Sequence, residues 1–212
     1  MATATPDPEA LLDFWFQDCD RDAARLSEAV QRWFAPNAAL DGAIRERFAE
    51  LPDRAAAGEL DAWQDAPRPA LARVIVLDQF PRNLHRGSGR AFAYDALARA
   101  GAEQAIAAGF DAALPPIEAT FLYLPFEHAE DLASQERCVA LYEALAARAR
   151  PDLADTFARF VGYAQRHRDV IARFGRFPHR NAALGRAPSE EERAYLAEGG
   201  EDFSGSQVEA AS

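Results

Sequence analysis

The feature that most constrains this chain is a period. Apolar residues recur at three- and four-residue intervals almost from end to end. No stretch alternates at period two over a strand's length with turn signals on both sides. Leu40, Ile44 and Phe48 stand at i, i+4 and i+8, and Phe157, Phe160, Ala164, His167, Ile171 and Phe174 keep the same rhythm. The one β-branched cluster, Val74-Ile75-Val76-Leu77, lies inside a longer 3.6-residue stripe and reads as helix. The pattern predicts an all-α domain of about nine or ten helices, stacked as antiparallel pairs joined by short loops.

Punctuation sets the limits of those helices. Asp7 can cap, Pro8 suits a first turn and Glu9 favours the positive helix end, so a helix opens there. Further helices are expected over about 20–34, from Asn37, from Pro52 to near Gly58, and from Pro69. A long one is expected from Ser88-Gly89 to a glycine stop at Gly109. Pro115-Pro116 opens the next, which Pro125 interrupts, and two more cover 131–150 and 152–174. Ser189 and Glu192 have capping-box spacing before a last short helix. With 212 residues and 49% hydrophobic content, one domain over 1–203 is expected, with a frayed tail at 204–212.

The chain carries a net charge of −11, a poor fit to sequence-independent nucleic-acid binding. No apolar run approaches a membrane span, and the first residues lack the regions of a signal peptide. Cys19 and Cys138 sit in helical patterns without a C-x-x-C, so a reduced, cytoplasmic setting is expected. All 23 basic residues are arginine, which genome composition accounts for.

Against that acidic background, two turns are cationic. Phe80-Pro81-Arg82-Asn83 and Phe177-Pro178-His179-Arg180-Asn181 each close a helical run. Arg86 follows the first. From Arg166 to Arg186 there are six arginines, including Arg173 and Arg176, and the only acid is Asp169. Guanidinium binds carboxylate or phosphate in a bidentate fork, so turns lying side by side would make an anion pocket. The competing reading is internal neutralisation by Glu127, Glu130, Asp131 and Glu136.

Asp78 shares the apolar face of its helix with Val74 and Ile75, so it must find a donor, and Arg82 is the nearest in sequence. His167 lies on an apolar stripe and reads as a hydrogen-bonded core residue. Glu127-His128-x-Glu130 could orient a histidine for acid–base work; it lacks the paired histidines of a zinc helix, and no metal or other cofactor is expected. All four histidines, 85, 128, 167 and 179, fall in or beside these motifs.

Several segments resemble the bacterial family of unknown function called DUF924. They are Leu12-Asp13-Phe14-Trp15-Phe16, Leu77 to Asn83, Ala91-Phe92-Ala93-x-Asp95, Tyr123 to Glu130, Arg173 to Asn181, and Leu184-Gly185-Arg186 with Ser189-x-Glu191-Glu192. The resemblance runs from about residue 9 to 203 and implies a tetratricopeptide-like helical fold with no established activity. The family often has Ser after the motif histidine, where this chain has Ala129. A mechanism that needs a hydroxyl at that place is therefore not expected.

Three functions follow. The leading one is a binding protein for a small anionic ligand or acidic peptide end, contacted by Arg82, Arg86, Arg173, Arg176 and Arg180 and positioned by Asp78, Asn83 and Asn181. The second is an enzyme with His128 or His179 as general acid or base and Asp78 or Glu130 as its orienter. The third is a structural role, with the motifs as buried ion-pair turns and a protein as partner.

Overall fold

The computed structural model describes residues 7–203. The expected tail at 204–212 lies outside the described residues. Among those residues there is no strand, and eleven α-helices carry the fold. They are α1 (Pro8–Phe16), α2 (Ala23–Phe34), α3 (Ala38–Phe48), α4 (Leu51–Ala56), α5 (Pro67–Leu84), α6 (Asp95–Ala107), α7 (Phe110–Ala113), α8 (Pro116–Glu127), α9 (Leu132–Ala146), α10 (Ala154–Phe174) and α11 (Glu190–Ala197). Among the described residues no helix is long and apolar enough to cross a membrane.

Side-chain caps start most of the long outer helices. Asp7, Asp22, Asn37 and Asp131 each accept a hydrogen bond from a first-turn amide. Ser189 and Glu192 form a reciprocal capping box on α11. At the other end of α10, Gly175 takes φ 67°, a left-handed stop that costs glycine little.

Two helices form the interior. Every residue of α5 from Ala70 to Pro81 is buried, and so is every residue of α8 from Ile117 to Glu127. α5 packs against α1, α3, α4, α6, α7 and α8, while α9 lies between α8 and α10. A common centre of this kind gives six helices the same partner, unlike a pure nearest-neighbour stack. An aromatic cluster fills the space where α1, α2, α5 and α8 meet. The Phe121 ring lies 4.9 Å from Trp33, 5.2 Å from Phe16 and 5.7 Å from Trp15. Truncating a buried phenylalanine of this kind costs about 3–5 kcal/mol.

Neither internal proline ends its helix. α5 runs through Pro81 to Leu84 and α8 runs through Pro125 to Glu127. Each ring removes one amide donor, but burial of both flanking turns outweighs that loss. The long helix expected from Ser88 is also different. Residues Gly89–Phe92 make a 3-10 turn and α6 starts only at Asp95. The turn is pinned from across the molecule: a Cβ on Gly89 would sit 2.9 Å from the Ala183 carbonyl oxygen. Gly109 does not end α6 directly; at φ 75° it turns the chain into α7.

Candidate functional site

The two Phe-Pro turns meet, and the residue that joins them is Asp95. Its carboxylate takes a bidentate pair from Arg82, at 2.9 and 3.0 Å, and lies 3.6 Å from Arg180. Asp95 opens α6 directly after the pinned 3-10 turn, which also carries Phe92. Both guanidinium groups lie over the Phe92 ring, at 5.7 Å for Arg82 and 4.6 Å for Arg180. Arg180 is buried, with Phe177 4.5 Å away as a second ring.

Asp78 lies under this pair, 1% exposed. It projects from α5 one turn before Arg82, which puts Arg82 Nη1 3.2 Å from its Oδ1. The same Oδ1 is 2.8 Å from His128 Nδ1, and Gln79 donates to Oδ2 at 2.6 Å. His128 sits at the end of α8, and Arg180 donates to its backbone carbonyl at 3.0 Å. The first turn, the second turn and the His128 segment therefore close on one another through Asp78, Asp95 and Arg180.

The electrostatics are those of a balanced cluster. Burial alone would raise the Asp78 carboxyl, but the Arg82 charge, with the hydrogen bonds from His128 and Gln79, outweighs it and holds it below the usual carboxylate range. Burial and Arg82 together keep His128 below its ordinary value despite Asp78, so its imidazole is neutral at pH 7. Burial and Arg82 push Arg180 down to about 10. Two arginines thus face two aspartates, and their formal charges cancel. Arg180 Nε is buried and has no hydrogen-bond partner among the described residues.

The remaining arginines are neutralised further out. Arg86 forks onto Asp41 of α3 at 2.7 and 2.9 Å, and Asn83 reaches the same carboxylate at 2.8 Å. Arg176 forks onto Glu192 of α11 at 2.5 and 2.7 Å, where Asn181 also donates. Arg173 pairs with Glu191 at 2.9 Å. Glu130 is held by Arg186 at 2.6 and 2.9 Å and accepts the Phe177 amide at 2.8 Å, so it braces the second turn. Asp131 takes Arg99 at 2.8 Å.

His179 lies in an aromatic setting. Its ring packs against Phe177 and Phe203, and burial, then Arg180, push it down to about 4. His167 donates from Nδ1 to the Tyr163 carbonyl at 2.9 Å and is stacked 3.5 Å beneath Phe203. Among the described residues no group of three or more His, Cys, Asp or Glu side chains could hold a metal ion. A cavity of about 230 Å³ beside α10 takes in Arg166 and Arg173, but these already face Glu201 and Glu191.

Of the expected site residues, Asp78, Arg82, His128 and Arg180 come together. Asn83 and Arg86, Arg173, Arg176 with Asn181, and Glu130 hold separate braces around them, and His179 borders the cluster. Asp95 and Phe92 complete it. Their one signal in the sequence was the motif Ala91-Phe92-Ala93-x-Asp95, which spacing alone does not connect to either turn.

No curated protein matches the chain. A solved structure of a protein of unknown function from Agrobacterium tumefaciens is 38% identical and superposes with a TM-score of 0.76, covering 90% of this chain and 97% of that one. Residues 11–200 match the model of the bacterial proteins of unknown function called DUF924, and the chain belongs to that family.

Proposed function

We propose that the junction of the two Phe-Pro turns is the active site of an acid–base enzyme. The observation that carries this reading is the 2.8 Å contact between Asp78 and His128 Nδ1. A buried carboxylate on Nδ1 fixes the tautomer and leaves Nε2 as a proton acceptor, which is the arrangement general base catalysis needs. A histidine kept neutral at pH 7 is ready to accept. Arg180 and Arg82 stand where they can stabilise negative charge that develops on a substrate. Because Asp78 and Asp95 balance them, the resting cluster favours a small polar substrate without net charge. Two buried free cysteines, Cys19 and Cys138, support a cytoplasmic location.

The test is a panel of small-molecule conversions run on the wild type, His128→Gln and Asp78→Asn. Each turnover found should fall by two or more orders of magnitude in His128→Gln. It should also decline in the wild type at acid pH, as His128 protonates. Full turnover of every converted substrate by both variants would sink the reading.

One observation favours a second reading, the binding of a small anion. Arg180 Nε is buried and unpartnered, and Asp95, its nearest carboxylate, is already forked by Arg82. A thermal shift with phosphate or a dicarboxylate, lost in Arg180→Ala, supports binding. The same shift in the variant excludes Arg180 as the contact.

A further inference from the structure

The ring of His128 can meet Asp78 only while the backbone that carries it stays in place, and that backbone is a helix end. The last turn of a helix leaves carbonyls without amides to receive, and such ends fray. Pro125 weakens the end of α8 further, because it brings no amide to that turn. His128 stands just beyond Glu127, and its own amide reaches back to the Leu124 carbonyl at 2.9 Å.

Gln135 supplies what α8 lacks. It lies in the first turn of α9, and none of its surface is exposed. Its Nε2 donates to the Glu127 carbonyl at 2.6 Å and to the Ala129 carbonyl at 2.8 Å, with the Phe126 carbonyl 3.3 Å away. Glu127 and Ala129 flank His128 on either side. The carbonyl of His128 itself takes Arg180 at 3.0 Å. Every carbonyl from Phe126 to Ala129 is thus held by a side chain from another element. The amide has one workable orientation. Turned over, Gln135 would set its oxygen against carbonyl oxygens. As placed, Oε1 is buried and has no partner among the described residues. An orphaned acceptor of that kind is unfavourable, and a methionine of similar size fills the same space without one. Packing therefore does not account for a glutamine here, whereas the two hydrogens on Nε2 do.

We propose that Gln135 is the positioning residue of His128: by clamping the carbonyls on both sides it fixes the ring on Asp78 and leaves Nε2 bare to accept a proton. The proposal rests on the reading of His128 as the base. The contacts of Nε2 are to backbone carbonyls, so Gln135 acts through the chain and not on the ring. Each helical residue advances about 100° around the axis. A slip of this last turn would therefore swing Nδ1 off Asp78 Oδ1, which it meets at 2.8 Å.

The test reads the tautomer of His128 in chain labelled with 15N-histidine, by long-range 1H–15N correlation at about pH 8, where neutral imidazole prevails. The His128 signals are those absent from His128→Gln. In the wild type Nδ1 should carry the hydrogen and Nε2 should be bare. Gln135→Met keeps the length of the side chain and removes both hydrogens. In that variant His128 should move toward the tautomer with its hydrogen on Nε2, which a free imidazole side chain favours. His167, held by the Tyr163 carbonyl at 2.9 Å, should keep its wild-type pattern. An unchanged His128 in Gln135→Met overturns the proposal. A shift of His128 and His167 together also overturns it, because the core has then loosened as a whole. Gln135→Asn, whose amide is one methylene short of the carbonyls, is read in the same way if Gln135→Met does not fold. Failure of both variants to fold makes Gln135 a structural residue and overturns the proposal as well. A wild type with the hydrogen on Nε2 refutes the base itself, so the two readings fail in different spectra.

Discussion

Replacing Asp78 by Asn removes the charge that both Arg82 and His128 face. Asp78 is 1% exposed, so solvent screening barely discounts the loss. Breaking a buried pair by removing one partner costs about 3–5 kcal/mol. Arg82 keeps its fork on Asp95 in the variant, which places the expected cost near the lower end, about 3 kcal/mol. For a chain of this length each kcal/mol moves Tm by about 2–4 °C, so Asp78→Asn should melt about 6–12 °C lower at pH 7. Circular dichroism melts across pH 3–8 give the test its second dimension. The folded Asp78 carboxyl lies below its ordinary value. Its stabilisation is therefore present above the unfolded value of about 3.9 and is lost as pH falls through the folded one. The gap between wild type and variant should hold from pH 8 to about 5 and close below that. A gap under about 2 °C at pH 7, or one that widens on acidification, refutes the ion-pair argument.

Other outcomes can be read with the same equipment. Glu127 is shifted upward, so its contribution is present below the unfolded carboxyl value and is lost as pH rises toward 8. Glu127→Gln should therefore match the wild type in urea at about pH 4 and exceed it by a margin that grows through pH 6 to about pH 8. Phe203→Ala removes the ring stacked on His167. It should cost about 0.5–1.5 kcal/mol and speed acylation of His167 and His179 by diethylpyrocarbonate, with equal rates counting against the cover. Gly89→Ala drives a methyl to 2.9 Å from the Ala183 carbonyl, a backbone atom that cannot rotate away. An expected loss of about 1–3 kcal/mol, checked by urea denaturation, tests whether the 3-10 turn is pinned to the second motif.

The helical fold was legible because its signals are local. Asp7, Asn37, Asp131 and Ser189 announce helix starts through their own side chains, and the structure uses each of them. Pro81 and Pro125 misled because the burial that overrides them comes from residues far away in the chain. The candidate site divides along the same line. Asp78 and Arg82 are four apart on one helix, so their pairing could be anticipated. The link between the turns runs through Asp95, 85 residues before Arg180 by the numbering, and no periodicity encodes that contact. The arginines' partners were expected in the segment from Glu127 to Glu136. Glu130 and Asp131 do serve, but Asp41, Asp95, Glu191 and Glu192 supply the rest, set by how the helices pack.

The position of α5 has a consequence for how the protein comes apart. Helices from before it and after it enclose it, so neither a fragment that stops short of α8 nor one that starts after α5 can cover its buried surface. The amides from Ala70 to Phe80 should then exchange with solvent only when the whole domain opens, with α11 at the periphery exchanging by local opening. Asp78 lies within that slowest-opening stretch, so the lifetime of the Asp78–His128 contact is tied to the lifetime of the folded state itself.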